Sequence, residues 1–102
     1  MLDELLILKK IKGGDIKAFE ELFRRYYFPL CCYAAGITGQ MEVAEEIVEE
    51  LFYVLWKERA RLQIFQSVKS YLYRATRNQS LQYCEHEEVR NRYREAVLNT
   101  SN

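Results

Sequence analysis

Apolar residues recur every three or four positions along most of this chain, and little interrupts them: one Pro and four Gly stand in 102 residues. That spacing lines one face of a helix with side chains that leave water, whereas a strand would alternate at every second position. With strong helix formers filling the gaps, the fold class is all-α, a compact helical bundle of about four helices. At this length one modest core is available and a second domain of ordinary size is not.

The stripes place the elements. Leu5, Leu6, Leu8 and Ile11 make a short first helix that Gly13-Gly14 ends, and Asp15 is positioned to cap the next. The second helix carries Ile16, Phe19, Leu22, Phe23, Tyr26, Leu30, Tyr33, Ala34 and Ile37 on one face and stops at Gly36 to Gly39. Pro29 removes a donor inside it, so a kink or local break near Arg25–Pro29 is expected, with two stacked half-helices as the other reading. A third helix, from about Glu42 to Arg59, buries Val43, Ala44, Ile47, Val48, Leu51, Phe52 and Leu55, with Trp56 closing its apolar end. Ala60–Gln66 loses the period and reads as a loop. Ser67 then caps a fourth helix whose stripe, Val68, Tyr71, Leu72 and Ala75, continues to Asn78 and Leu81 and weakens through Glu85–Arg94. Tyr71 is assigned to the core, and the tail Asn99–Asn102 is expected to fray.

Several function classes drop out. There is one His, no Gly-rich phosphate loop, and no Ser or Cys with a recognisable base partner, so no enzyme is expected. Cys84 and His86 supply two potential ligands where a closed zinc site takes about four, so no metal and no cofactor is expected. The cysteines Cys31, Cys32 and Cys84 are odd in number and two are adjacent, which suits reduced thiols. No apolar run approaches the roughly 20 residues of a membrane span, and Met1–Lys12 lacks the features of a signal peptide. The expected location is cytoplasmic, without membrane insertion.

Net charge is zero, but the charges are sorted. Residues 42–50 carry Glu42, Glu45, Glu46, Glu49 and Glu50 and no base; residues 57–77 carry Lys57, Arg59, Arg61, Lys69, Arg74 and Arg77 against Glu58 alone. Opposite patches therefore sit on consecutive elements. An acidic row on a helix is ordinarily a solvated face, and a partner must be argued for separately.

Four segments in order carry a resemblance: Gly14-Asp15 through Leu22-Phe23, Thr38-Gly39, Ala44-Glu45-Glu46-Ile47-Val48-Glu49-Glu50-Leu51-Phe52 through Trp56, and Ser70-Tyr71-Leu72-Tyr73-Arg74-Ala75-Thr76-Arg77-Asn78. Over about residues 13–85 the chain resembles region two of the extracytoplasmic-function (ECF) sigma factors of bacterial RNA polymerase. The resemblance implies that the third helix docks on the coiled coil of the polymerase β′ clamp. It also implies that the fourth helix and the loop before it recognise and open the promoter minus-ten element on the non-template strand.

Chemistry agrees with both roles. Glu45, Glu46 and Glu49 offer carboxylates at helical spacing to a basic coiled coil. Arg61, Lys69, Arg74 and Arg77 offer cations to phosphates, while Tyr73 and Asn78 offer a flat ring and an amide to unpaired bases. Asn78 could equally satisfy a loop carbonyl. After Asn78 the family continues with Leu, Asp and a basic run, whereas here Leu81–Glu88 is mixed and acidic, so phosphate attraction there should be weak. An anti-sigma factor is the expected regulatory partner. Residues 1–86 are read as the region two domain and residues 87–102 as the start of an interdomain linker, helical and then frayed; sigma factors of this family carry a further helix-turn-helix domain, and the sequence does not say whether one follows Asn102. The competing reading is a helical protein-interaction module that uses the same acidic helix and never touches DNA.

Overall fold

The computed structural model describes residues 3–63 and 67–100 of the chain. Four α-helices and one 3-10 turn follow one another: α1 Glu4–Lys12, α2 Ile16–Thr38, α3 Met41–Lys57, the turn Arg59–Arg61, and α4 Val68–Thr100. No strand occurs among the described residues, and the fold is all-α.

Capping chemistry sets most of the boundaries. Asp3 accepts from the Leu5 N–H at 3.1 Å, and Asp15 accepts from Lys17 and Ala18 at 3.0 and 3.2 Å, satisfying donors that a helix start leaves open. The end of α2 is fixed by Gly39, whose φ of 77° turns the chain left-handed while its N–H returns to the Ala35 carbonyl at 2.8 Å. Ser67 Oγ accepts from the Ser70 N–H at 3.0 Å and opens α4.

α2 is the hub, packed against α1, α3 and α4. Its Leu22, Leu30, Cys31 and Ala34 meet Ala44, Val48, Phe52 and Leu55 of α3 and Val68 and Leu72 of α4 in one core that Ile7, Leu8 and Ile11 of α1 complete. Phe52 is the central aromatic, edge-on to Phe19 at 6.1 Å and to Phe23 at 5.0 Å. Such pairs add about 0.5–1.5 kcal/mol each beyond area burial.

Several expectations need correction. In α1 the buried face is Ile7, Leu8 and Ile11, while Leu5 and Leu6 are exposed. Ile16, the first residue of α2, is exposed too. α2 runs through Pro29 without a break; the ring is on the exposed side, so the lost donor is not a buried one. Where a loop was expected from Ala60, Arg59–Arg61 form a 3-10 turn and Leu62 is buried; residues 64–66 of that loop lie outside the described residues. The core row of α4 is Val68, Leu72, Thr76 and Ser80, so Tyr71 is exposed and Tyr73 is the tyrosine that packs on the core.

The apolar stripe of α4 weakens as expected, but the helix does not fray within the described residues. It is one helix of 33 residues, about 50 Å long, passing uninterrupted through positions 86 and 87 to Thr100; residues 101–102 lie outside the described residues. Burial ends sooner, with no residue buried after Ser80 among the described residues. The molecule measures 62 × 24 × 22 Å because this rod projects from the bundle.

Candidate functional site

Two surfaces carry the candidate residues. The first is the outer side of α3, where Glu42, Glu45, Glu46, Glu49 and Glu50 are all exposed. None of the five is in an ion pair among the described residues, whereas Glu4, Glu21, Glu58, Glu87 and Glu88 each have an Arg within 4.0 Å or less. Glu45 and Glu49 face the α2 seam: Tyr27 there is pushed up to about 12, first by burial, then by Cys31, and then by the charges of Glu49 and Glu45. Glu46 lies on the outer side of that row. Beside them, Phe23 stacks on Tyr27 at 4.7 Å, and Phe19 leans on Trp56 at 5.1 Å. Phe19, Glu20, Phe23 and Arg24 line an open, largely apolar groove next to the acidic face. This groove was missed in the sequence because those rings were assigned wholly to the core.

The second surface begins where α3 ends. The Arg59 guanidinium lies over the Trp56 ring at 4.2 Å and donates to the Trp56 carbonyl at 2.9 Å, which closes the last turn of α3. Beyond it a recess is lined by Glu58, Arg61, Leu62, Gln63 and Tyr71, with Arg61 paired to Glu58 at 3.6 Å. Tyr71, expected in the core, thus lines one recess with the expected loop residue Arg61, and Tyr73, the ring expected to meet bases, does not.

α4 sorts the remaining candidates by helical rotation. Asn78 follows Tyr71 by seven residues, about 700°, so it returns to nearly the same flank about 10 Å further along the axis. It is exposed, and it does not line the recess. Tyr71 and Tyr73 differ by about 200° and take opposite flanks. On the Tyr73 side, its ring meets Tyr33 of α2 edge-on at 5.1 Å, with Lys69 one turn before and Arg77 one turn after. Arg74 points outward between the flanks. Lys69, Arg74 and Arg77 are exposed and have no ion-pair partner among the described residues. Both surfaces therefore present charges that the fold itself leaves uncompensated, acids on α3 and bases on α4.

Comparison with known proteins bears on the family and the fold. The model of the sigma-70 region 2 family matches residues 22–89, the span from the second turn of α2 to a point on α4 nine residues beyond Ser80. A solved structure described as the NMR structure of the complex formed by an engineered region 2 of sigmaE in complex with GTAAAA shares the fold, with a TM-score of 0.73 and 21% identity. The likeness covers 87% of this chain and 93% of that one. A search of the curated proteins finds no match. Since the family match takes in well over half of the residues and the helices follow the same course, the chain belongs to the sigma-70 region 2 family and is a transcription initiation factor domain.

Proposed function

We propose that this domain, of the ECF type, binds RNA polymerase core through Glu45, Glu46 and Glu49 on α3 and recognises and melts the promoter minus-ten element with α4 and the segment before it. The observation that carries the reading is the pair of uncompensated surfaces. Like charges four apart on a helix repel by about 0.2–0.5 kcal/mol each, and a folded domain has no use for that cost without a basic partner. The β′ clamp coiled coil is the partner we assign to it. On α4 the bases have the opposite complement, the phosphates of a single strand, as the relative solved with GTAAAA has a nucleic-acid ligand.

Within this reading phosphate contacts supply affinity through Lys69, Arg74 and Arg77, and base contacts supply specificity. Tyr71 and Arg61 at the recess take an extruded base, and Asn78 reads a base edge further along; Tyr73 serves by holding Tyr33. The site of action is the cytoplasm, where polymerase works. An anti-sigma factor is the regulatory partner, and residues 87–102 begin the linker to a further domain.

The test is a charge reversal. Glu46→Lys with Glu49→Lys should abolish copurification with polymerase core while the circular dichroism stays unchanged, because an exposed carboxylate contributes less than about 1 kcal/mol to stability. Undiminished copurification overturns the α3 assignment. Binding to single-stranded oligonucleotides should weaken as salt rises; a flat salt response favours the protein-interaction reading instead.

A further inference from the structure

Tyr33 belongs to the apolar stripe of α2 by its spacing, yet the structure leaves it 36% exposed at the seam with α4. Its ring meets Tyr73 with an interplanar angle of 67°. An edge-on contact of this kind uses at most one face of one ring, and the exposure of Tyr33 leaves part of its side chain to solvent. Tyr73 is half-buried against the core and anchors the pair from below. Behind it Tyr26 is tied to Glu4 at 2.6 Å, so the platform rests on a braced junction of α1, α2 and α4.

The charges around this platform are one-sided. Lys69 and Arg77 stand one turn before and one turn after Tyr73, about 12 Å apart along α4, both exposed and without an ion pair among the described residues. Glu4, the acid that Tyr26 holds at this junction, is already engaged by Arg25 at 3.5 Å as well. A partly exposed ring, Tyr33, packed edge-on against the residue that two uncompensated cations flank has the composition of a single-strand track: the ring stacks a base and the cations hold its flanking phosphates. A protein partner for the same patch would need acids at both ends and a flat apolar group between them.

We propose that Tyr33 is a nucleic-acid-binding residue and that the single strand, having left the recess at Tyr71, crosses α4 over Arg74 and stacks an unpaired base on Tyr33. The inference rests on the nucleic-acid role assigned above and extends it to a second flank of α4 and to α2. It requires a strand longer than the recess and the outer face of α4 can occupy.

The experiment uses the full chain, the hexamer GTAAAA, and the same hexamer extended by three adenosines at each end, with 2-aminopurine placed in the extensions as a stacking reporter. Tyr33→Leu keeps an apolar contact to Tyr73 but has no ring; Tyr33→Trp keeps a ring. The extended strand should bind Tyr33→Leu at least about five-fold more weakly than wild type, with 2-aminopurine quenching lost, while hexamer affinity changes less than two-fold. Tyr33→Trp should restore both readouts. Wild-type affinity and quenching in Tyr33→Leu overturn the inference while leaving hexamer binding intact. Failure of the wild-type chain to bind either strand overturns the nucleic-acid reading itself and this inference with it.

Discussion

The Tyr26 hydroxyl donates to Glu4 Oε2 at 2.6 Å, and Arg25 Nη1 reaches the same oxygen at 3.5 Å, so one carboxylate of α1 is held by two neighbours on α2. Burial first, and then this hydrogen bond to Glu4, push Tyr26 from its ordinary value of 10.0 up to about 12. The folded chain therefore keeps a proton that the unfolded chain gives up between about pH 10 and 12, and stability must fall as pH rises through that window. Below it the group costs nothing. In urea unfolding series from pH 9 to 11.5, the wild type should lose stability more steeply than Tyr26→Phe, which starts lower by about 1 kcal/mol for want of the hydrogen bond. Parallel slopes would show that Tyr26 does not couple to folding. At this scale the sequence was an incomplete guide. Tyr71 and Tyr73 are equally aromatic and two apart, and nothing local says which packs; the Tyr33 ring, 40 residues earlier, decides it. Thr76 and Ser80 were passed over in the core row because they are polar, although both are fully buried with hydroxyls that find no partner among the described residues.

Among the elements, α3 was the most legible, since its stripe is regular, no breaker interrupts it and one face is uniformly acidic. The observed Met41–Lys57 differs from the expected span only at its ends, where Arg59 stacks on Trp56 and tightens the chain into a 3-10 turn. α2 was harder, because Pro29 signals a break; its exposed position means that packing on both sides, at Leu22 and Leu30, outweighs one missing donor. The acidic face of α3 leads to a prediction in two directions. Replacing Glu46 and Glu49 with Gln removes the like-charge pairs Glu42–Glu46, Glu46–Glu50 and Glu45–Glu49, so the isolated domain should gain about 1 kcal/mol at low salt. Polymerase binding should weaken in the same variant. Stability is measured by urea unfolding at two salt concentrations, with the gain shrinking at the higher one. A variant that is less stable would mean these carboxylates are held by the fold, and the case for an external basic partner would lose its ground.

The whole molecule divides by burial more sharply than by secondary structure. Up to Ser80 the helices share one core; beyond it the rod of α4 carries Val89, Tyr93 and Val97 at 62%, 72% and 47% exposure, held by pairs within the helix such as Arg90 with Glu87 at 3.0 Å. The resemblance ends the region two domain at residue 86, and the sequence beyond it alternates acid and base at helical spacing. The stripe does fade there, but helix continues because extending a packed helix needs no new nucleus, only propensity and ion pairs along its surface. The radius of gyration, 17.2 Å, exceeds the roughly 13 Å of a compact 100-residue domain for the same reason. Deleting residues 91–102 should therefore leave the unfolding midpoint within about 2 °C of the full chain, since one kcal/mol moves a domain of this size by about 4–8 °C and no described residue of that span is buried. The shortened chain should also bind the GTAAAA hexamer with unchanged affinity, as its cations and rings all lie before residue 79. A drop of 4 °C or more would place the distal rod in the cooperative unit; a loss of hexamer binding at constant stability would place part of the nucleic-acid surface on it.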